Sequence, residues 1–380
     1  LLRDEVREPH YMKFSVTKEN LLEGLQKTQN VVSSRTTLPV LSNVLVETTE
    51  TGIRLSTTDM EVALRCDVPA VVEKPGATTL PARRLLTIVR ELPASDIQIE
   101  TDAKSISSIR SGQSFFKIFG LARDEFPAFP SSKESRQISL QQKVLRDGLR
   151  KTSYAISMDE TRYVLNGILF SFKENALKLV ATDGRRLALF EETIDAELAG
   201  KLDIDFIVPT KAINELQRLL VDDGEVTLSV SDNLVSFELN GSLLVSKLVD
   251  GNYPNYKQVI PSSEDVKESI TLEREVLLTC VRRVSLLSSD KTSSIRLNFT
   301  KNNIEVTSNT PEIGEAKESL AVAYRGRDFS IAFNPEYLMD PLKALPNDEV
   351  YLRLIDEMSP GVLEINSGFL YVIMPMRVSA

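Results

Sequence analysis

Apolar residues in TTLPARRLLTIVREL fall at Leu85, Ile88, Val89 and Leu92, the i, i+3, i+4, i+7 spacing that predicts a helix with one buried stripe. The opposite face carries Arg83, Arg84, Thr87, Arg90 and Glu91 and is net basic. The run VTLSVSDNLVSFELNGSLLVSKLVDG alternates apolar and polar positions instead, the pattern of antiparallel strands. Both patterns return at a period of about 125 residues. DFIVPTKAINELQRLL and FSIAFNPEYLMDPLKAL repeat the order of short strand, proline and amphipathic helix; Pro209 lies 128 positions after Pro81, and Pro335 lies 126 after Pro209. Pro341, inside the last of these helices, predicts a kink.

A strand and turn precede each proline segment (IRLSTTDMEVAL, LKLVATDGRRLAL, IEVTSNTPEIGEA), and a helix and strand precede those. Three diverged copies of one α+β unit therefore account for the chain, each with two helices packed on antiparallel sheets. The expected domains are 12–135, 136–263 and 264–380, joined at PSSKESRQ (130–137) and PSSEDVKES (261–269), both rich in Ser, Pro and charge. Residues 1–11 read as an N-terminal extension.

Composition narrows the chemistry. The 380 residues are 42% hydrophobic and 26% charged, and no apolar run approaches the roughly 18 residues of a membrane span. With no charged-then-apolar leader either, a cytoplasmic location and no membrane partner are expected. Cys66 and Cys280 lie far apart, and the single histidine, His10, precedes Met12, so neither a metal site nor histidine-based catalysis is indicated. There is no Walker A loop, GxGxxG, GxSxG or HExxH, and the spacing of the 54 acidic residues selects no catalytic pair. No cofactor is expected, and a hydrolase built on an unrecognised carboxylate pair stays open with no residue pattern in its favour.

The net charge of −9 argues against nucleic acid as a partner only on average. Lys143, Arg146 and Arg150 line one helix face with Lys151 beside them, and Lys211, Arg218, Arg282 and Arg283 add basic positions on two further helices. The same bias on four of six equivalent helices points to phosphate contact. At the other extreme, QSFFKIFGL, with Phe115, Phe116 and Phe119, is too apolar for a free edge strand.

These motifs, in order, carry a resemblance. MKFSVTKENLLEGLQ, RTTLPVLSNVLVE, GATTLPARRLL, RYVLNGILF, VATDGRRLA, SKLVDGNYPNY and YVIMPMRV span Met12 to Val378, and the sequence closely resembles the bacterial sliding clamps, the β subunits of DNA polymerase III. The resemblance implies three clamp-type domains per chain and a head-to-tail dimer forming a six-domain ring, with helices inside and strands outside. It implies a processivity factor that encircles duplex DNA without sequence preference. Such a ring tethers the polymerase III α subunit, the clamp loader, other DNA polymerases and repair proteins through short linear peptides. The location implied is the bacterial cytoplasm, nucleoid-associated at replication. Topological retention answers a physical need, since non-specific phosphate binding has a Kd of roughly 10⁻⁴ to 10⁻⁶ M at physiological salt.

Residue by residue, the resemblance assigns a partner-peptide pocket between the second and third domains. Leu165, Thr182, Gly184, Arg185, Arg186, Leu187, Pro254 and Val259 come from the second. Val362, Val372, Met374, Pro375, Met376 and Arg377 come from the third, with Asn334 and Tyr337 at the margin. Arg186 and Arg377 would hold acidic or glutamine groups of the ligand, and the flexible methionines suit varied apolar anchors. Arg185, Gln258 and Val164 depart from residues common in the family. DNA contact is implied for Arg35, Arg162 and Tyr163 together with the basic helix faces. Phe116 would meet Leu286 and Leu287 across the dimer seam, where Glu312, Glu315 and Glu318 would add ion pairs. An alternative reading is a repeat-built peptide-binding scaffold that does not encircle DNA; it predicts a monomer.

Overall fold

The computed structural model describes residues 12–32, 38–93, 95–131, 135–194, 203–288, 294–311 and 313–377. The extension 1–11 with His10, and the candidate residues Arg35 and Glu312, lie outside them.

The chain passes through one order of elements three times. The first pass is β1 (Met12–Thr17), α1 (Lys18–Thr28), β2 (Asn43–Thr49), β3 (Gly52–Thr58), β4 (Val62–Pro69), a short extra β5 (Val71–Lys74), β6 (Ala77–Pro81), α2 (Ala82–Glu91), β7 (Asp96–Thr101), β8 (Ile106–Ser111) and β9 (Ser114–Phe119). The second is β10 (Arg136–Gln141), α3 (Gln142–Thr152), β11 (Gly167–Lys173), β12 (Ala176–Thr182), β13 (Arg186–Thr193), β14 (Ile204–Pro209), α4 (Thr210–Leu219), β15 (Glu225–Val230), β16 (Leu234–Leu239) and β17 (Ser242–Lys247). The third is β18 (Glu268–Glu273), α5 (Arg274–Val284), β19 (Ile295–Thr300), β20 (Asn303–Thr310), β21 (Gly314–Ala321), β22 (Phe329–Phe333), α6 (Pro335–Ala344), β23 (Glu349–Leu354), β24 (Gly361–Glu364) and β25 (Phe369–Ile373).

Two compact units result. One comprises residues 1–143 and 211–248, the other 144–210 and 249–380, so the division runs through the middle pass. The first unit holds a five-stranded sheet, β5-β1-β7-β8-β9, and an eight-stranded one, β10-β15-β16-β17-β4-β3-β2-β6. The second holds the eight-stranded β14-β11-β12-β13-β25-β24-β23-β18 and the four-stranded β21-β20-β19-β22. In both eight-stranded sheets the last strand of one pass pairs antiparallel with the fourth-placed strand of the pass before, β17 with β4 and β25 with β13. The remaining strands of those two kinds, β9 and β21, each end a sheet.

Helix–sheet packing follows the sequence pattern. Leu85, Val89 and Leu92 of the predicted α2 stripe are buried with Leu21 and Leu25 of α1 in one core, which Leu86 joins, while Ile88 is half-buried at its border. Gly24 and Gly148 take the same place in α1 and α3, where the helix comes closest to the sheet. A Cβ on Gly148 would lie 2.6 Å from Leu179 Cδ1 and 2.7 Å from Phe190 Cδ1. The third pass fills that place with Cys280, fully buried. α6 continues through Pro341 as one helix, with the Leu345 N–H reaching the Pro341 carbonyl at 3.0 Å. Proline has no N–H for the carbonyl four residues back, and Tyr371 Oη donates to that Tyr337 carbonyl at 2.7 Å instead.

In an open helix interior, Gly→Ala stabilises by up to about 1 kcal/mol. Here the methyl must displace buried Leu179 and Phe190, so Gly148→Ala is expected to destabilise by about 1–3 kcal/mol, read as a lower midpoint in urea unfolding.

Candidate functional site: a groove built on the TDGRR turn

Thr182, Asp183, Gly184, Arg185 and Arg186 close the β12–β13 hairpin in the second unit. Thr182 Oγ1 donates to the Arg186 carbonyl at 2.6 Å and accepts from the Gly184 N–H at 3.1 Å. Asp183 Oδ1 accepts the N–H groups of Arg185 and Arg186 at 2.9 and 3.0 Å. Gly184 supplies the left-handed residue, with φ of 84°. Thr58, Asp59, Met60, Glu61 and Val62 form the same turn in the first pass, with Met60 at φ 78°. The scaffold is therefore a property of the repeat, and its side chains differ.

β25 runs alongside this turn. Arg186 faces Ile373 and Leu187 faces Val372, and the Met374 N–H donates to the Arg185 carbonyl at 2.9 Å. Beyond it the Met376 N–H reaches the Ala332 carbonyl at 2.8 Å. The main chain thus holds MPM on both sides, while Met374 (41%) and Met376 (37%) keep their side chains exposed. Leu187, Val362 and Val372 share one apolar cluster with Leu169, Val180 and Ile207, and Val164, Tyr253, Tyr256 and Ile260 pack against it. Leu165 is buried, and Pro254 and Val259 are exposed. Against Pro254 lies a cavity of about 270 Å³, lined also by Leu169, Ile207 and Tyr253 and by the charged Asp205 and Lys257, but by no residue of TDGRR or MPMR.

Arg186 is committed elsewhere than expected. Its side chain is only 10% exposed. Nε donates to Asp183 Oδ2 at 3.1 Å, Nη1 to Asp340 Oδ2 at 2.6 Å and Nη2 to the Tyr154 carbonyl at 2.5 Å. The guanidinium carbon lies 4.3 Å from the Tyr337 ring centroid and 5.8 Å from that of Tyr154. Burial works against its charge, but Tyr371 and Asp340 outweigh burial and hold the group above the ordinary arginine value. Arg185 and Arg377 are exposed cations on the turn and on the strand end beside it. Asn334 caps α6, accepting from the Glu336 and Tyr337 N–H groups at 2.9 and 3.3 Å. Tyr154, Asp340 and Tyr371 escaped the reading of the sequence; Asp340 stands 154 positions from Arg186, beyond any local signal.

The basic positions divide. Arg83, Arg84, Arg90, Lys143, Arg146, Arg150, Arg282 and Arg283 are exposed, and so is Tyr163. Lys151 is not: it is buried, pairs with Asp147 at 2.7 Å and lies 5.2 Å from the Phe190 ring centroid. It sits at the border of the apolar stripe, and a sheet aromatic turns it inward, which corrects its expected place on the basic face. Lys211 is half-buried, bonded to Asp59 and to the Val31 carbonyl. Arg162 is tied to Asp159 at 2.9 Å and to the Asp183 carbonyl at 2.8 Å. Arg283 Nε donates to Glu318 at 3.0 Å, so Glu318 already has a partner in its own chain.

At the strand edges, Phe116 is 38% exposed and Phe115 and Phe119 more so, and only Ile118 of β9 is buried. Leu286 is 76% exposed, Leu287 half-buried and Glu315 exposed. Among the described residues no helix is long and apolar enough to cross a membrane.

Three family models match in succession, the N-terminal domain of the DNA polymerase III beta subunit over residues 12–130, its central domain over 139–255 and its C-terminal domain over 257–377. The chain belongs to the DNA polymerase III β-subunit family. Its similarity to the beta sliding clamp of Pseudomonas putida is 36% identity over 375 residues, 97% of this chain and 100% of that one. With the Chlamydia muridarum beta sliding clamp it is 34%, covering 97% and 99%. The crystal structure of the Bacillus subtilis sliding clamp is similar with a TM-score of 0.92 at 29% identity, and that of the Bartonella birtlesii clamp bound to griselimycin with 0.91 at 35%; each covers 97% of this chain and 100% of its own.

Like the family, the chain is a non-catalytic processivity factor. It works as a ring-shaped homodimer on DNA and tethers the polymerase III α subunit and clamp loader through peptide motifs.

The exposure pattern predicts a contrast between adjacent residues. Arg150→Ala should leave stability within about 0.5 kcal/mol and lower the slope of log K against log salt for DNA by about 0.9. Lys151→Ala should cost about 1 kcal/mol of stability and leave that slope unchanged. Denaturant melts and salt-titrated DNA binding read both.

Proposed function

We propose that the groove beside the TDGRR turn is the partner-peptide pocket of this clamp. The supporting observation is the pairing of β25 with β13, which sets Met374 against Arg185 over the floor of Leu187, Val362 and Val372. An apolar anchor of the peptide enters between this floor and the two methionines, whose flexible thioethers adapt to different anchors. Exposed Arg185 and Arg377 meet its acidic or amide groups, with Leu165, Thr182, Gly184, Pro254, Val259, Pro375, Asn334 and Tyr337 around them. Arg185 and Gln258 set the preference among partner peptides. The exposed arginines and lysines of α2, α3 and α5, with Arg162, Tyr163 and Lys211, face phosphate. Domain boundaries at 135/136 and 263/264, and a cytoplasmic protein gathered on the nucleoid at replication, complete this reading.

The dimer seam follows from the repeat. Ser246 faces Val62 in one inter-repeat joint and Ile373 faces Arg186 in the other, each time the fifth residue of a last strand against the first of a fourth-placed strand. The same rule between two copies sets Ile118 of β9 against Gly314 of β21. Lys117 then faces Glu315, Phe116 faces Ala316 and Phe119 faces Ile313, with Leu286 and Leu287 beside them. Opposite charge meets opposite charge, and the exposed aromatics are covered.

Two outcomes are expected. Met374→Ala with Met376→Ala should reduce binding of a labelled α-subunit peptide at least tenfold and leave the dimer intact by light scattering; full-affinity binding would refute the pocket. Lys117→Glu should weaken the dimer at least tenfold in sedimentation, because like charges across an interface cost several kcal/mol. Adding Glu315→Lys should restore it, and a charge swap without rescue would exclude this register.

A further inference from the structure

We infer that Asp340 and Tyr371 are positioning residues for peptide binding, holding the Met374–Met376 wall in place through Arg186 and the Tyr337 carbonyl; this rests on the pocket reading above. The contacts close a circuit. The turn holds Met374 through the Arg185 carbonyl, and Met374 continues β25, which carries Tyr371. Tyr371 Oη holds the Tyr337 carbonyl that Pro341 leaves unclaimed, in the first half of α6. On the same helix Asp340 takes Arg186 Nη1, and Arg186 returns to the turn through Asp183. Tyr371 is fully buried.

Arg186 therefore clamps the two passes and does not read the ligand. Its Nε and both terminal nitrogens already have protein partners, and Tyr337 and Tyr154 lie against the guanidinium. Removing one partner of such a buried, hydrogen-bonded pair leaves the other uncompensated, so the circuit opens where it is cut. The wall then loses the fixed geometry that precise binding needs. Recognition of charged peptide groups falls to Arg185 and Arg377.

The test uses the full-length dimer and a fluorescein-labelled clamp-binding peptide of the polymerase III α subunit. Asp340→Asn is expected to weaken binding about tenfold, and Arg186→Met with Asp340→Asn to lose no more than the worse single variant. A purely structural loss would not single out the wall, so methyl-¹³C methionine spectra supply the second readout. Among the seven methionines, Met374 and Met376 should shift or broaden in Asp340→Asn, with Met60, Met158 and Met358 unmoved. Tyr371→Phe removes a single oxygen and should give the same methyl shifts with a several-fold loss of affinity; it decides the matter alone if Asp340→Asn does not fold.

Wild-type or tighter binding by Asp340→Asn or Tyr371→Phe would overturn the inference, because freed Arg186 would then be serving the ligand. So would a penalty in the double variant equal to the sum of the singles. The Met374→Ala, Met376→Ala protein separates the two readings: if it loses the peptide while Asp340→Asn binds normally, the pocket stands and the positioning role falls. If it keeps the peptide, the pocket itself is wrong.

Discussion

A strand at the edge of a sheet exposes a row of unpaired N–H and C=O groups, and every pass of this chain produces two such edges, one on its last strand and one on its fourth-placed strand. Joining passes in series covers them pairwise: β17 lies on β4 and β25 on β13. A series of three has two internal joints and leaves one edge of each kind, β9 and β21. They are complementary in kind because each internal joint is made from the same two strands. In the proposed seam a second copy supplies both missing neighbours, so that the homodimer closes with no new type of interface.

The groove is a by-product of the same joint. Wherever a last strand runs past a fourth-placed strand, it meets the turn that opens the latter. The first joint has that turn too, with Lys247 bonded to the Glu61 carbonyl where the second has Met374 on Arg185. What distinguishes the second is side-chain chemistry: glycine in place of Met60, and two methionines whose side chains stay partly exposed. Buried electrostatics then stiffen it. Arg186 keeps its charge because Asp183, Asp340 and two tyrosines compensate its burial, and the exposed charge of the groove is left to arginines with no such duty.

Much of this was legible along the chain. The α2 stripe, the 125-residue period and the alternating runs specify elements because they record which face of each is apolar. QSFFKIFGL marked a strand that ends a sheet with its phenylalanines exposed, and TDGRR and MPMR named the turn and the strand end that a main-chain bond joins. The helical spacing of Arg146 and Arg150 gave their exposure correctly. It did not give that of Lys151, next to Arg150, because periodicity places a residue at the border of a face; both pair with Asp147, and only Lys151 also lies against Phe190.

By itself, then, the sequence determined the repeat, the order of helices and strands, the family and the residues that flank the groove, since all of these are written as local patterns and motifs. Tertiary structure decided which strand meets which and in what register, how α6 tolerates Pro341, and what Arg186 does. Each of those depends on partners brought from another pass: Tyr371 lies 34 positions from the carbonyl it serves and Asp340 lies 154 from Arg186. Local pattern fixes what a face is made of. Which groups meet across it is decided only when the passes close on one another and every buried charge and freed carbonyl must find a partner in that arrangement.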